Sequence, residues 1–354
     1  VLLSRGSGKL AFATLTEGES QIQVMLSLDK VGEQRLQDWK TDVDLGDHVG
    51  ITGEVISSKR GELSVLATGW QLTSKALRPL PDKHHGLTDP EARIRQRYVD
   101  LAVNPDSRQM VRDRATVIRL VRKTLQDKGF IEVETPTLQV LHGGAAAKPF
   151  RTHFNALDLD VTLRIALELY LKRAVVGGID KVFEIGKNFR NEGMDSTHSP
   201  EFTMLEFYEA YGDYDTVAEL TREMILTCAR GIGRTSVYDG QVDLERPWRT
   251  ATLHELVSEA VGSTVDPGTP ADDLLALAKA HDVALQPGWS AGEIALELFE
   301  KLVEHTLIQP TFVKDYPVEA RPLARDHRDL HPFRPRRPSE LVPRRGPRPR
   351  LPRK

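Results

Sequence analysis

The stretch from Val182 to Tyr214 brings charged and aromatic side chains together in what reads as two strands around a polar loop. In the second strand Phe202, Glu206 and Tyr208 are separated by even numbers of residues, so they point to one face. In the first strand the residues of equal parity are Glu184, Asn188 and Arg190. A buried arginine and glutamate without partners would each cost several kcal/mol. The pattern therefore predicts that a ligand supplies partners.

The residue types indicate what that ligand carries. The guanidinium of Arg190 can bind a carboxylate or a phosphate through two parallel hydrogen bonds. The ring of Phe202 offers a face for a base, and such stacking contributes about 1–3 kcal/mol in nucleic-acid complexes. Glu206 and Tyr208 can accept an ammonium group. From the pattern alone, a surface hairpin with scattered salt bridges remains an alternative.

The elements around this hairpin follow from periodicity. Apolar residues at steps of three and four from Val111 to Leu125 predict a helix, and Gly129 occupies the place of a C-terminal cap. The segments 131–135 and 157–165 alternate as strands do. Helical patterns cover 166–178, 215–232 and 251–307. Strands joined by hairpins beside helices predict an α+β domain built on an antiparallel sheet flanked by helices.

Residues 1–80 show a different pattern. Four or five short alternating runs separated by turns, with one helical stretch at 29–43, predict a small barrel of the OB type whose first strand is incomplete. We expect a linker at 81–104, rich in proline and polar residues. The second domain then covers 105–325, and 326–354 is a Pro/Arg-rich segment without periodicity, of the kind that stays disordered.

Composition narrows the class of protein. The formal net charge is −3 with 28% charged residues, so nucleic-acid contacts must come from local patches. The single cysteine, Cys228, excludes an internal disulfide framework and is expected to be a buried small side chain. No apolar stretch reaches the length of a membrane span. A cytoplasmic protein that contacts no membrane is the expectation.

The hairpin resembles motif 2 of the class II aminoacyl-tRNA synthetases, with "FRNE" at Phe189–Glu192. The helix and strand ending in "GFIEVETP" resemble motif 1, whose Pro136 lies at the dimer interface in that family. Within class II the chain looks like a bacterial-type lysyl-tRNA synthetase. The stretches that carry this resemblance are "PLPDK", "RQRYVDL", "GGAAAKPF", "ELYLKR" and "HSPEFTMLEFYEAY". The resemblance extends from Arg5 to about Arg325.

The resemblance implies roles for matching residues. Arg190 would contact the ATP α-phosphate and the lysine carboxylate and is the catalytic candidate. Glu192 and His198 would contact ATP, and Phe202 would stack on the adenine. The residues implied around lysine are Gly144, Glu168 and Glu206 at the α-amino group and Tyr208 at the ε-ammonium. The implied activity is ATP-dependent formation of lysyl-adenylate and transfer of lysine to tRNA(Lys).

In the barrel, Arg5, Phe12 and Gln23 match residues that read the middle anticodon uridine in the family, with Phe12 stacking on the base. The implied partners are tRNA(Lys), L-lysine, ATP and a second copy of the chain bound through motif 1. The family also implies Mg²⁺, but its acidic ligands and motif 3 belong to a segment beyond the match. No metal ligand is therefore expected within this chain.

Three departures from the family stand out. Leu167 replaces the proline that precedes the acid of the "ELYLKR" helix, so the φ angle before Glu168 is not fixed. The chain begins inside the first barrel strand. After Arg325 the resemblance stops in proline- and arginine-rich sequence, which we interpret as a wrong reading frame; the alternative is a basic tail for RNA. The expectation is that such a truncated chain is inactive or weakly folded alone.

Other readings stay open at the level of sequence. A non-catalytic remnant that binds tRNA or dimerises would keep the barrel residues without turnover. Modification of a protein instead of tRNA is disfavoured by the OB domain, and aspartate or asparagine specificity by "ELYLKR". Asp158 and Asp160 are interpreted as solvent-facing, and His142 and His153 as loop or surface residues. "GIGR" at 231–234 is interpreted as a helix end.

Overall fold

A computed structural model describes residues 1–320 except 2, 59, 60, 79, 82–86 and 196. Residues 82–86 of the predicted linker and the whole of the predicted tail at 326–354 lie outside the described residues. The chain divides into two compact units, Val1–Ala115 and Thr116–Lys354, and the division falls inside a long helix, Pro105–Asp127. The predicted domain boundaries remain predictions.

The N-terminal unit is a five-stranded sheet with short helices. Its strands are β1 (Leu3–Ser7), β2 (Leu10–Glu17), β3 (Ser20–Ser27), β4 (His48–Ser57) and β5 (Leu63–Ser74), and their order in the sheet is β1-β2-β3-β5-β4. The β3–β5 pair is parallel and the other pairs are antiparallel. Alternation sends Ala11, Ala13 and Val24 into a core around Trp39.

The helical stretch predicted at 29–43 is two helices, α1 (Leu28–Val31) and α2 (Glu33–Asp42). Gly32 separates them with a φ of +79°, a conformation that glycine adopts without the steric cost of a Cβ. Three further helices follow, α3 (Pro90–Arg95), α4 (Arg97–Val103) and α5 (Pro105–Asp127). None of the described helices in the chain is long and apolar enough to cross a bilayer.

Besides the end of α5, the C-terminal unit contains four small sheets and five α-helices among the described residues. Its first strands are β6 (Ile131–Glu132), β7 (Leu138–Gln139), β8 (Arg151–Phe154), β9 (Leu159–Leu163), β10 (Lys181–Phe189) and β11 (Glu201–Glu209), with α6 (Glu168–Val176) after β9. Then come α7 (Tyr214–Gly231), β12 (Ser236–Val237), β13 (Val242–Asp243), β14 (Arg249–Thr252), α8 (Leu253–Val261), α9 (Ala271–Ala280), α10 (Ala291–Leu302) and β15 (Thr311–Lys314).

The α+β class is confirmed, but the sheets are mixed rather than purely antiparallel. β10 pairs antiparallel with β11 and parallel with the short β6, and β14 pairs parallel with β15. The strand predicted at 157–165 begins only at Leu159. Residues Asn155–Leu157 form a 3₁₀ turn, and Asp158 adopts a left-handed conformation with a φ of +48°. The extended strand therefore starts only after Asp158.

The core beneath the β10–β11 hairpin is apolar. Leu125, Phe130 and Phe183 are buried together with Leu220 and Met224 of α7. The rings of Phe130 and Phe207 meet edge to face with centroids 5.8 Å apart, an arrangement that aromatic pairs favour. One side of the hairpin is thus fixed on this core, and the other side carries the polar residues.

Candidate functional site

The hairpin register places the polar and aromatic residues on one face. Asn188 lies opposite Phe202, Glu184 opposite Glu206 and Val182 opposite Tyr208. Directly opposed residues of an antiparallel pair project to the same side of the sheet. The shared face predicted from strand parity is therefore confirmed.

Arg190 follows β10 directly and is held at two points. Its backbone N–H donates to the carbonyl of Pro200 at 2.8 Å, which closes the loop, and its Nε donates to the carbonyl of Ile165 at 3.4 Å. The guanidinium carbon lies 5.1 Å from the centroid of the Phe202 ring, within the range of a cation–π contact. The cation and the aromatic plate are thus adjacent, and the guanidinium keeps donors for an anionic ligand.

Glu206 and Tyr208 form a hydrogen-bonded pair. The Tyr208 hydroxyl donates to Glu206 Oε2 at 3.1 Å, and the backbone N–H of Leu167 donates to Glu206 Oε1 at 3.1 Å. Burial, together with the negative charges of Glu206 and Glu168, raises the pKa of Tyr208 well above its ordinary value. The phenol therefore stays neutral and offers a lone pair to a cation beside the carboxylate.

Gly144 and Glu168 touch each other at the start of α6. Gly144 has a φ of +87°, and a Cβ placed on it would stand 3.0 Å from Glu168 Cβ and 3.1 Å from Ala166 Cβ. A side chain there would be strained and would crowd Glu168, so this position requires glycine. Glu168 is the first residue of α6 and forms an ion pair with Lys172 one turn later.

One short segment, residues 165–168, contacts Arg190, Glu206 and Gly144. Ile165 accepts from Arg190, Leu167 donates to Glu206, and Ala166 and Glu168 lie against Gly144. The segment therefore holds Arg190 and Glu206 in one unit with Glu168, although these residues are far apart along the chain. The sequence alone gave no indication of this role for Leu167.

The loop between β10 and β11 positions Glu192 and His198 separately. Glu192 Oε1 accepts from the backbone N–H of Lys148 at 3.1 Å. Asp195 accepts from the backbone N–H groups of Thr197 and His198 at 2.7 and 2.8 Å, and its Oδ2 lies 2.8 Å from His198 Nδ1. These hydrogen bonds, with that of the Thr197 backbone largest, lower the pKa of Asp195.

The contact with Asp195 occupies one of the two ring nitrogens of His198. With Nδ1 engaged by the carboxylate, the other ring nitrogen of the exposed imidazole is left for a ligand. Sequence reasoning missed Asp195. An aspartate three residues before the histidine in a polar loop is the local signal that would have identified it.

Beneath the face lies a buried ion pair. Arg164 Nη1 donates to Glu184 Oε1 at 2.6 Å, and the two side chains are 6% and 4% exposed. The hydroxyl of Thr135 donates to Glu184 Oε2 at 2.6 Å, and Arg164 Nε donates to the Lys187 carbonyl at 2.8 Å. The expectation that Glu184 needs a ligand as partner is thus wrong. The missed signal was an arginine inside the apolar run "VTLRI".

The neighbouring Asn188 is fully buried. Its Nδ2 lies 3.2 Å from the sulfur of Met204, and its Oδ1 has no hydrogen-bond partner among the described residues. A buried carbonyl oxygen without a partner is uncommon in folded proteins.

In the N-terminal unit, Phe12 and Gln23 lie on the face of the sheet opposite the buried alanines. Arg5 in β1 is opposite Phe12 in the register, and its side chain lies outside the described residues. The amide of Gln23 contacts protein groups at both ends: Nε2 donates to Glu62 at 2.6 Å, and Oε1 accepts from Ser64 at 2.9 Å.

Two family models match the chain. The family model for tRNA synthetases class II (D, K and N) matches residues 89–341. The model for the OB-fold nucleic acid binding domain matches residues 1–73.

Three similar curated proteins are lysine–tRNA ligases. A lysine–tRNA ligase of Mycolicibacterium gilvum (strain PYR-GCK) is 54% identical over 337 residues, which is 93% of this chain and 67% of the relative. That of Kineococcus radiotolerans is 52% identical, and that of Mycobacterium bovis (strain BCG / Pasteur 1173P2) is 51% identical, each with the same shares of the two chains. The chain therefore belongs to the class II aminoacyl-tRNA synthetases, within the family of the lysine–tRNA ligases.

Proposed function

We propose that this chain activates L-lysine with ATP to form lysyl-adenylate and transfers the lysyl group to tRNA(Lys). The observation that carries the proposal is the arrangement of Arg190, which contacts the Phe202 ring and is tied to Ile165 in the segment that also holds Glu206. A cation for anionic groups, an aromatic plate for a base and a carboxylate for an ammonium are thus joined in one site.

Lysine would bind at the Glu206 side of the site. Gly144, Glu168 and Glu206 would surround the α-ammonium, and Tyr208 would receive the ε-ammonium. Neutral amino acids would leave such acidic and polar groups unpaired, a defect that can exclude an analogue by about 10⁴-fold. The raised pKa of Tyr208 supports its role as a neutral acceptor.

ATP would bind at the Phe202 side. The adenine would stack on Phe202, Glu192 would lie near the adenine, and His198 would lie near the outer phosphates. A carboxylate oxygen of lysine would attack the α-phosphorus, and pyrophosphate would leave with the electron pair of the broken P–O bond. Arg190 would reduce the repulsion between the two anions and stabilise the charge of the transition state, with positioning supplying most of the remaining acceleration.

In the second half-reaction a hydroxyl of the terminal tRNA ribose would attack the lysyl carbonyl carbon, and AMP would leave. The family also implies Mg²⁺. Among the described residues no group of three or more His, Cys, Asp and Glu side chains is placed to hold a metal ion. These residues do not fit a magnesium site, so no step is assigned to one.

The two units would have different roles in the reaction. We propose that residues 1–80 bind the anticodon through Arg5, Phe12 and Gln23, that 81–104 connect the domains, and that 105–325 carry catalysis. The outward face of β1–β3 supports the first assignment, because it presents Phe12 and Gln23 together. We further propose a homodimer formed through the segment around Pro136 and action in the cytoplasm.

Lysine-dependent ATP–pyrophosphate exchange decides between this proposal and the expectation from the sequence that the chain is inactive. The unmodified chain should exchange with lysine and not with aspartate, and Arg190→Gln should lower kcat/KM by about 100-fold or more, since it removes charge that stabilises the transition state. Lys187→Gln is the matched control, because it removes an exposed cation from β10, three residues before Arg190. Binding of tRNA without any exchange by the unmodified chain would contradict the proposal and favour a non-catalytic remnant.

A further inference from the structure

The peptide N–H of Leu167 points at a carboxylate of the lysine site. Leu167 immediately precedes α6, its side chain is fully buried, and its N–H donates to Glu206 Oε1 at 3.1 Å. A proline at this position would have no N–H to donate. The hydrogen bond to Glu206 therefore depends on a residue other than proline at position 167.

We propose that the Leu167 peptide N–H is a positioning group that fixes Glu206 as the acceptor of the lysine α-ammonium. This inference rests on the proposed function and adds a specific determinant of lysine affinity. With Leu167 on Oε1 and the Tyr208 hydroxyl on Oε2, both oxygens of the carboxylate are held in place. Each oxygen retains a further lone pair, so the ammonium has two fixed acceptors.

The charges around Glu206 support this choice among the acids of the site. Glu184 lies opposite Glu206 in the strand register, and it is neutralised by Arg164. Glu168 is paired with Lys172. Among the described residues, the hydrogen bonds to Glu206 come from neutral donors alone, the Leu167 N–H and the Tyr208 hydroxyl. Of the three carboxylates, Glu206 is thus the one whose counter-charge a cationic ligand would supply.

The consequence for binding follows from preorganisation. A carboxylate that is already oriented does not have to be ordered when the ligand arrives, so affinity rises. Removing the N–H releases one oxygen of Glu206 and leaves its orientation to Tyr208 alone. Lysine binding should weaken, whereas ATP contacts on the Phe202 side should not change.

The test compares Leu167→Pro with Leu167→Ala. Both variants lose the buried leucine side chain, which packs with Leu171 and Val182, but only the proline variant loses the N–H. The backbone φ of −92° at this position lies close to the range of proline. In ATP–pyrophosphate exchange we expect Leu167→Pro to raise the lysine KM by about tenfold relative to Leu167→Ala, the size of one hydrogen bond to a charged group. The ATP KM should be equal in the two variants.

An equal lysine KM in the two variants, or parallel changes in the lysine and ATP KM values, would overturn the inference. An ester in place of the peptide bond before Leu167 covers the case in which the proline variant does not fold. This replacement keeps the side chain and removes only the N–H, and it should reproduce the rise in lysine KM; an unchanged KM would count against the inference. Absence of exchange in the unmodified chain would instead refute the proposed function itself.

Discussion

At the scale of single residues, the support beneath the site is a buried ion pair. Arg164 and Glu184 are almost fully excluded from solvent and satisfy each other together with Thr135. Gly186 lies two residues after Glu184 on β10, and a Cβ there would stand 2.9 Å from Glu184 Oε1 and closer still to Arg164. Because glycine has no side chain, the guanidinium of Arg164 can lie against β10 at this position.

Removing one partner of this pair should be more harmful than removing both. Arg164→Met leaves Glu184 charged and buried, and we expect a loss of about 3–5 kcal/mol in the free energy of unfolding. The double variant Arg164→Met/Glu184→Met should be more stable than Arg164→Met alone, since no uncompensated charge remains. Urea denaturation of the single and double variants measures both values. Additive losses would show that the pair does not act as a unit.

The parity of positions along a strand predicts which side chains share a face, but not which partner each side chain contacts. Strand parity correctly placed Glu184 on the face with Glu206, but parity does not identify a partner from another strand. Arg164 lies 20 residues before Glu184 in the chain, and only the packing of the β9 end against β10 brings the two together. Glu184 therefore needs no ligand, whereas the ligand contacts expected for Arg190 and Glu206 remain predictions.

At the scale of elements, the segment after β6 exposes apolar side chains. Leu138, Val140 and Leu141 are 51%, 62% and 75% exposed and follow the exposed Pro136. Exposed apolar residues grouped along one segment are typical of an interaction surface. This surface is the support for the proposed dimer through motif 1.

A charge in this segment should weaken the dimer. Leu141→Asp would place a carboxylate in an apolar contact, which is unfavourable without a partner, and we expect the mass in solution to shift toward a single chain of 39.6 kDa. Leu275→Asp, on the exposed side of α9, is the matched control and should leave the mass unchanged. Sedimentation equilibrium gives both masses; equal behaviour of the two variants would contradict the assignment.

The existence of the elements was predicted well where side-chain periodicity was long. The β10–β11 hairpin follows its pattern closely, whereas the helix predicted from Val111 to Leu125 begins six residues earlier, at Pro105. The predicted strands at 131–135 and 157–165 are shorter in the structure. In the second case the left-handed backbone of Asp158 delays the start of the strand to Leu159, and an apolar pattern does not report such a turn.

At the scale of the whole molecule, the two units allow tRNA recognition to be separated from activation. Phe12 lies in the N-terminal unit, whereas all proposed contacts to lysine and ATP lie in the C-terminal unit. Phe12→Ala removes a ring on which a base would stack. We expect it to raise the tRNA KM in aminoacylation by about tenfold and to leave lysine-dependent exchange unchanged.

Glu17→Gln is the control for that variant, because Glu17 is exposed at the far end of the same strand. Equal effects of the two variants on the tRNA KM, or a loss of exchange with Phe12→Ala, would argue against stacking on a base. Aminoacylation and exchange measured on the same preparations make the comparison direct.

The sequence by itself determined the order of elements, the family and the residues that face one side of the hairpin. These properties depend on residue type and short-range spacing, which the chain carries locally. The sequence alone therefore identifies Arg190, Phe202, Glu206 and Tyr208 as candidates.

Only the tertiary structure decided how those residues are held. The Leu167–Glu206 hydrogen bond spans 39 residues, and the Thr135–Glu184 bonds span 49. Such contacts depend on the direction of a single N–H or side chain after the strands and α6 have packed. Local patterns do not specify that direction, because backbone groups that are distant in sequence meet only through the fold.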